Sequence, residues 1–182
     1  MLKNPSDINS KTVLNYLQNG HLMAIAPESK GGLILCKRYH AELVGPGAAV
    51  GGILDVDCTQ VITIGTIFLN ELRSYPESQQ ALDTRQQWIH YLQDLVRFSD
   101  PLMRSQKILH LLDNFFQNEP GISRLPDDAL AMLAGVLPKT INRARRYQNV
   151  MDPYAADGKI QKKDSYENFG CNFLQSPKTS RN

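Results

Sequence analysis

The stretch LPDDALAMLAGVLPKTINRARRYQ, Leu125–Gln148, decides how the chain is read. Two short helices that cross steeply over a tight turn need a small residue where the second passes the first. The turn needs a residue that accepts a left-handed backbone, usually glycine. Ala131 is the small residue, and Gly135, four positions later, is the turn glycine. Leu130, Ala134, Val136, Ile141 and Ala144 fill the apolar inward positions. Pro126 stands at the expected first position of helix one, and Asp127 and Asp128 behind it carry the charge that a helix N-terminus favours. Pro138 falls in the first turn of helix two, where its missing N–H costs nothing; a helix interior would reject it, so the chain must break after Gly135. The pattern is that of a helix-turn-helix.

The second helix carries a polar stripe opposite Ile141 and Ala144. Lys139, Asn142, Arg143 and Arg146 are spaced i, i+3, i+4, i+7 and project from one face. In a DNA major groove, arginine pairs bidentately with guanine O6 and N7, and asparagine with adenine N6 and N7. Those four residues are the expected base readers, while Thr140 and Arg145 are better placed for phosphates or packing and are expected on the DNA backbone. An ordinary helical hairpin with a solvated basic face is the alternative; the five apolar positions, two well-placed prolines and basic stripe taken together favour the helix-turn-helix.

Working outward, apolar residues at Leu82, Ile89, Leu92 and Val96 predict a helix from about Pro76, with Trp88, Tyr91 and Leu95 widening its stripe. Pro101, capped by Asp100, opens a further helix that runs to Phe116. Upstream the signals change to strand. His21–Ala26 and Gly31–Cys36 flank a polar PESK turn and read as a hairpin, and Thr59–Ile64 is β-branched. The Gly/Pro-rich Val44–Gly52 reads as irregular, and a short helix is expected around Lys11–Leu17. The chain is therefore α+β, β-rich first and helical second, dividing near residue 98.

Charge follows the same division. Net charge is +2, but residues 138–182 carry nine Lys/Arg against four Asp/Glu, whereas the rest carries 11 basic and 14 acidic residues. A C-terminal basic excess suits a polyanionic partner, and a solvated basic tail gives the same signature. There is no apolar run of transmembrane length and no secretory signal pattern, so a cytoplasmic protein with no membrane partner is expected. Cys36, Cys58 and Cys171 are odd in number and widely spaced, which predicts free thiols and no zinc site. His21, His40, His90 and His110 are scattered, and Gly45, Gly47, Gly51 and Gly52 do not open a helix as a phosphate loop would. No enzyme and no cofactor are expected.

Together these segments resemble the CRP/FNR group of bacterial transcription regulators, in shortened form. LVGPGAAVG (Leu43–Gly51) resembles the family's L-x-P-G-x-x-x-G turn in its β-roll, and FLNELRSYPE (Phe68–Glu77) resembles the short helix after the roll. IHYLQDLVRFSDPLMRSQKILHLLDNFF (Ile89–Phe116) resembles the end of the dimer helix and the first helix of the DNA-binding domain. The resemblance implies a reduced, cyclic-nucleotide-binding-like β-roll over 1–78, a linking dimer helix over 79–99, a winged helix-turn-helix over 100–165 and a tail over 166–182. It implies a homodimer joined through Leu82, Ile89, Leu92 and Val96, with packing of that stripe on the chain's own β domain as the alternative, bound to palindromic double-stranded DNA, with RNA polymerase or another regulator as protein partners.

Departures from the family narrow that expectation. Members that bind a cyclic nucleotide carry Gly-Glu and then an arginine for the phosphate. Here Gly52 stands in place of the glutamate, and no arginine occurs between Arg38 and Arg73, so cyclic-nucleotide control is not expected. The N-terminal cysteine cluster of iron–sulfur members is absent as well. Ala156–Ile160 is the candidate wing turn, with Lys159, Lys162 and Lys163 toward the DNA backbone. A different class of function also fits a shortened sensor: a protein-interaction module that dimerises with or antagonises a full-length regulator without productive DNA binding. A third is a regulator whose β domain senses a metabolite or a partner protein.

Overall fold

The computed structural model describes residues 10–116 and 122–148. The candidate wing, its lysines and the tail over 166–182 lie outside those residues, as does Cys171. The chain is α+β. Helix α1 (Ser10–Gln18) precedes six short strands: β1 (Leu22–Ile25), β2 (Gly32–Cys36), β3 (Ala41–Val44), β4 (Ala49–Gly51), β5 (Gln60–Ile64) and β6 (Leu69–Glu71). Helices α2 (Tyr75–Val96), α3 (Pro101–Phe115), α4 (Asp127–Ala134) and α5 (Pro138–Gln148) follow. The strands form two antiparallel sheets, ordered β4-β1-β6 and β3-β2-β5. No helix among the described residues is long and apolar enough to cross a membrane.

The expected hairpin of His21–Ala26 with Gly31–Cys36 does not form, because β1 and β2 belong to different sheets. Each is a central strand: β1 lies between β4 and β6, and Ile34 of β2 pairs with Leu43 on one side and Ile62 on the other. The PESK turn is held instead by the 66–68 segment. The Ala26 N–H donates to the Phe68 carbonyl at 2.8 Å, the Lys30 N–H to Thr66 at 3.1 Å, and Ser29 Oγ accepts from the Phe68 N–H at 3.0 Å. A strand buried at every position, as β2 is, needs cover on both faces and partners on both edges.

Two further expectations are corrected. Part of Val44–Gly52 is regular: Ala49–Gly51 is β4, an edge strand on β1. Phe68–Glu77 is no short helix. Leu69–Glu71 pairs with Met23–Ile25 as β6, and α2 begins only at Tyr75. The helix start is set by Ser74, whose Oγ accepts from the Glu77 N–H at 3.4 Å, while Glu77 Oε2 accepts from the Arg73 N–H at 2.9 Å, a reciprocal cap.

The face that α2 buries in its own chain is Ala81, Arg85, Trp88, Leu92 and Leu95. Of the expected dimer stripe, Leu92 therefore belongs to the protomer's core, while Leu82, Ile89 and Val96 are half-buried beside it. Trp88 fixes this rotation. Its ring lies over Gly45, where any Cβ would overlap it, and it packs on Phe115 of α3 with centroids 4.9 Å apart. One apolar cluster runs from the sheets through α2 and α3 to Leu130 and Ile141, and α4 packs on β3 and β2.

Candidate nucleic-acid interface

The helix pair α4–α5 is built as its sequence requires. Gly135 ends α4 in the left-handed region, at φ 61° and ψ 45°, which a Cβ would strain. Its N–H and that of Val136 both donate to the Ala131 carbonyl, closing the turn. Pro138 is the first residue of α5, whereas Pro126, expected as the first residue of α4, precedes it with an extended backbone. Leu130, Ala134, Ile141 and Ala144 are fully buried, and Val136 half-buried. Arg104 of α3 braces the turn from below, donating from Nη2 to the Gly135 carbonyl at 3.2 Å.

Lys139, Asn142, Arg143 and Arg146 are all exposed, on the side of α5 away from Ile141 and Ala144. Arg143 is not a free-swinging side chain. Its Nη2 donates to Tyr147 Oη at 3.4 Å, and its guanidinium lies 5.6 Å from that ring's centroid. Tyr147, 44% exposed, thus joins the face as an aromatic neighbour. Its i, i+4 spacing from Arg143 was visible in the sequence, though its role was not. Thr140 is half-buried, and its N–H donates to the Leu137 carbonyl at 2.8 Å.

Arg145 is placed differently from the expectation. Its Nε donates to Asp127 Oδ1 at 2.9 Å, Nη1 to the Ser123 carbonyl at 2.9 Å, and Nη2 to the Leu125 carbonyl at 2.7 Å. A guanidinium with all three nitrogens directed into its own chain has little left for a phosphate, so Arg145 is withdrawn from the phosphate-contacting set. The sequence held the signal: Arg145 is four residues after the buried Ile141, on the flank that faces the protein. Its field also reaches Asp113 of α3, whose pKa burial pushes up against the pull of His110 and Arg145.

A second charged group lies under the loop that follows β4. Asp55 is fully buried, and its carboxylate accepts from the Gly51 N–H at 2.7 Å and from both Arg85 Nη atoms, at 3.2 and 3.0 Å. Lys37 Nζ donates to the Leu54 carbonyl at 2.6 Å and pairs with Glu42 at 3.1 Å. Arg85 also pairs with Glu42. Burial pushes the Glu42 carboxyl up, but Arg85 and Lys37 outweigh it and hold its pKa at about 2. The inward group of this loop is thus a carboxylate already matched by internal cations. Around it the usual pattern is inverted, with Ile53 90%, Leu54 39% and Val56 49% exposed.

Elsewhere, Cys36 and Cys58 are buried free thiols, both raised by burial, Cys58 to about 11. An open cleft of about 670 Å³ runs beside the start of α2, with Ala24, Leu69 and Ala81 among its apolar lining and Glu71, Arg73 and Glu77 among its polar lining. Among the described residues no group of three or more His, Cys, Asp or Glu is arranged to hold a metal ion. Comparison of the chain with protein-family models, curated proteins and solved structures finds no match.

Proposed function

We propose that this chain is a sequence-specific DNA-binding transcription regulator of the CRP/FNR type, acting as a dimer without cyclic-nucleotide control. In this reading α4–α5 is a helix-turn-helix, α5 enters the major groove, and the two sheets are a reduced β-roll. The observation that carries the reading is the division of α5: Ile141 and Ala144 are fully buried, while Lys139, Asn142, Arg143 and Arg146 stand exposed together on the far side. A rigid helix that presents arginine and asparagine side by side has the donors that guanine and adenine edges accept. The carboxylate–cation cluster around Asp55 supports the absence of cyclic-nucleotide control, since an incoming phosphate would compete with Asp55 and Glu42 for Arg85 and Lys37.

The test is fluorescence anisotropy on duplexes selected from a random pool, with wild type and Arg143→Ala. An enriched palindrome, bound with a loss of about 1–3 kcal/mol in the variant, is the expected result. No enriched site, with weak binding that salt abolishes and the variant barely alters, would overturn it.

A second reading has its own observation. Ile53, Leu54 and Val56 stand exposed on a loop anchored at its base by the buried Asp55, which suits a module that binds another protein. If no DNA site is enriched, that reading takes first place.

A further inference from the structure

We infer that Arg145 is a positioning residue that fixes the angle of α5 on α4, and through it the aim of the exposed stripe, and that it makes no contact with DNA. The inference rests on the DNA-binding reading of α5 but assigns Arg145 a different task from its neighbours Arg143 and Arg146.

The geometry is that of a clamp. The Arg145 guanidinium is a rigid plane of donors, and its three acceptors belong to the short connection before α4 and to the first residue of α4. Ser123 is the middle residue of the 3₁₀ turn Ile122–Arg124, Leu125 follows that turn, and Asp127 opens α4. All three meet the one side chain at 2.7–2.9 Å. The bonds join the last turn of α5 to the N-terminal end of α4, at the end of the helix pair away from the Gly135 turn. The two helices are thus tied at both ends: by the Gly135–Ala131 closure at the turn, and by Arg145 at the open end. Without the second tie, only the packing of α5 on α3 and α4 would hold it against rolling about its own axis.

Rolling matters because base recognition is angular. A supporting residue must hold a binding side chain within about 10–20° of its working orientation. Lys139, Asn142, Arg143 and Arg146 share one rigid helix, so a roll misdirects them together. Phosphate contacts tolerate such a shift, since lysine and arginine reach a backbone oxygen from many directions; base-edge contacts do not. The clamp therefore acts on discrimination between sequences more than on general attraction to DNA.

Lysine cannot reproduce the fork while keeping the charge, so Arg145→Lys separates position from electrostatics. Asp127→Asn weakens the same tie from the other helix. The experiment is anisotropy on the full chain, with one selected and one scrambled duplex, across a salt series. The expected result is that Arg145→Lys loses about ten-fold or more on the selected duplex, with binding to the scrambled duplex and the salt slope unchanged. Asp127→Asn should move in the same direction, and the two changes combined should cost less than the product of their separate effects. An equal loss on both duplexes, with the salt slope falling by about one unit in an Arg145→Ala variant, would make Arg145 a phosphate contact and overturn the inference. Amide hydrogen exchange of α5 without DNA separates this result from failure of the DNA-binding reading. If wild type does not distinguish the duplexes but Arg145→Lys exposes α5 amides that Lys139→Ala leaves protected, the clamp stands and the DNA-binding reading falls. Unchanged α5 protection in Arg145→Lys would sink the clamp whatever the DNA result.

Discussion

Arg85 and Asp55 meet as a two-pronged ion pair inside the molecule, Nη2 at 3.0 Å from Oδ1 and Nη1 at 3.2 Å from Oδ2, with Asp55 fully buried and Arg85 3% exposed. The pair joins the loop after β4 to the middle of α2, 30 residues away in the chain. A buried ion pair is weak evidence of net stability, but removing one partner strands the other. Asp55→Ala should therefore destabilise by about 3–5 kcal/mol, the range for breaking such a pair. Two residues earlier, Ile53→Ser should fall within about 0.5 kcal/mol of wild type, because Ile53 is 90% exposed. Urea denaturation of both variants checks the inversion; equal losses would mean that the loop is not built this way.

Glu42 makes stability depend on acid. Its folded pKa is about 2, below the ordinary 4.5. A carboxyl with a depressed folded pKa contributes stability that is fully present above its unfolded value and is lost as pH falls through the folded one. Wild type should therefore weaken steadily between about pH 4.5 and 2. Glu42→Gln, already without that charge, should lose less over the same window, as urea midpoints at stepped pH would show. Parallel curves for the two proteins would count against the pairing of Glu42 with Arg85 and Lys37.

Gly45 offers a steric test of how α2 is seated. Any Cβ there overlaps the Trp88 ring, so Gly45→Ala must displace the indole. Overpacking of this kind costs about 1–3 kcal/mol. Trp88 is the chain's only tryptophan, so its intrinsic fluorescence reports the displacement directly. A red-shifted emission with a lowered midpoint is the expected outcome; wild-type emission at wild-type stability would place the ring elsewhere.

The parts of the fold that sequence exposed are those fixed by neighbours in the chain. Gly135, Pro138 and the cap at Asp100 each act within a few residues, and the Asp100 side chain does accept from the Leu102 N–H at 2.9 Å. Strand pairing is different. β1 and β2 are apolar on both faces, so no alternation marks their partners, and β1 pairs with β6 more than 40 residues on. Arg85 was hidden for a related reason: a charge within an apolar stripe reads as an edge until the carboxylate facing it is known. Lys139, Asn142, Arg143 and Arg146 emerged on one exposed face because helical spacing alone puts them there. Arg145 shares the residue type and charge of Arg143 and Arg146, and its place four residues after Ile141, with its acceptors before and at the start of α4, sets it apart.

The proposed dimer can be separated from the packing of α2 on its own chain, since the two draw on different residues. Leu92 is 9% exposed and belongs to the protomer's core. Leu82, Ile89 and Val96, seven residues apart in turn, lie half-buried along the flank of that face. A seven-residue repeat keeps one seam directed at a partner helix along the whole of α2. Ile89→Glu should therefore convert a dimer into a monomer in sedimentation, with the monomer still folded by circular dichroism. Leu92→Ala should cost about 2–5 kcal/mol in unfolding through the cavity it leaves in the protomer, while still sedimenting as a dimer at protein concentrations where the folded state dominates. On a palindromic site the Ile89→Glu protein should bind each half independently and weakly, because one α5 offers few base contacts. A wild-type chain that sediments as a monomer at all accessible concentrations, or an Ile89→Glu chain that remains dimeric, would remove this flank of α2 from the interface.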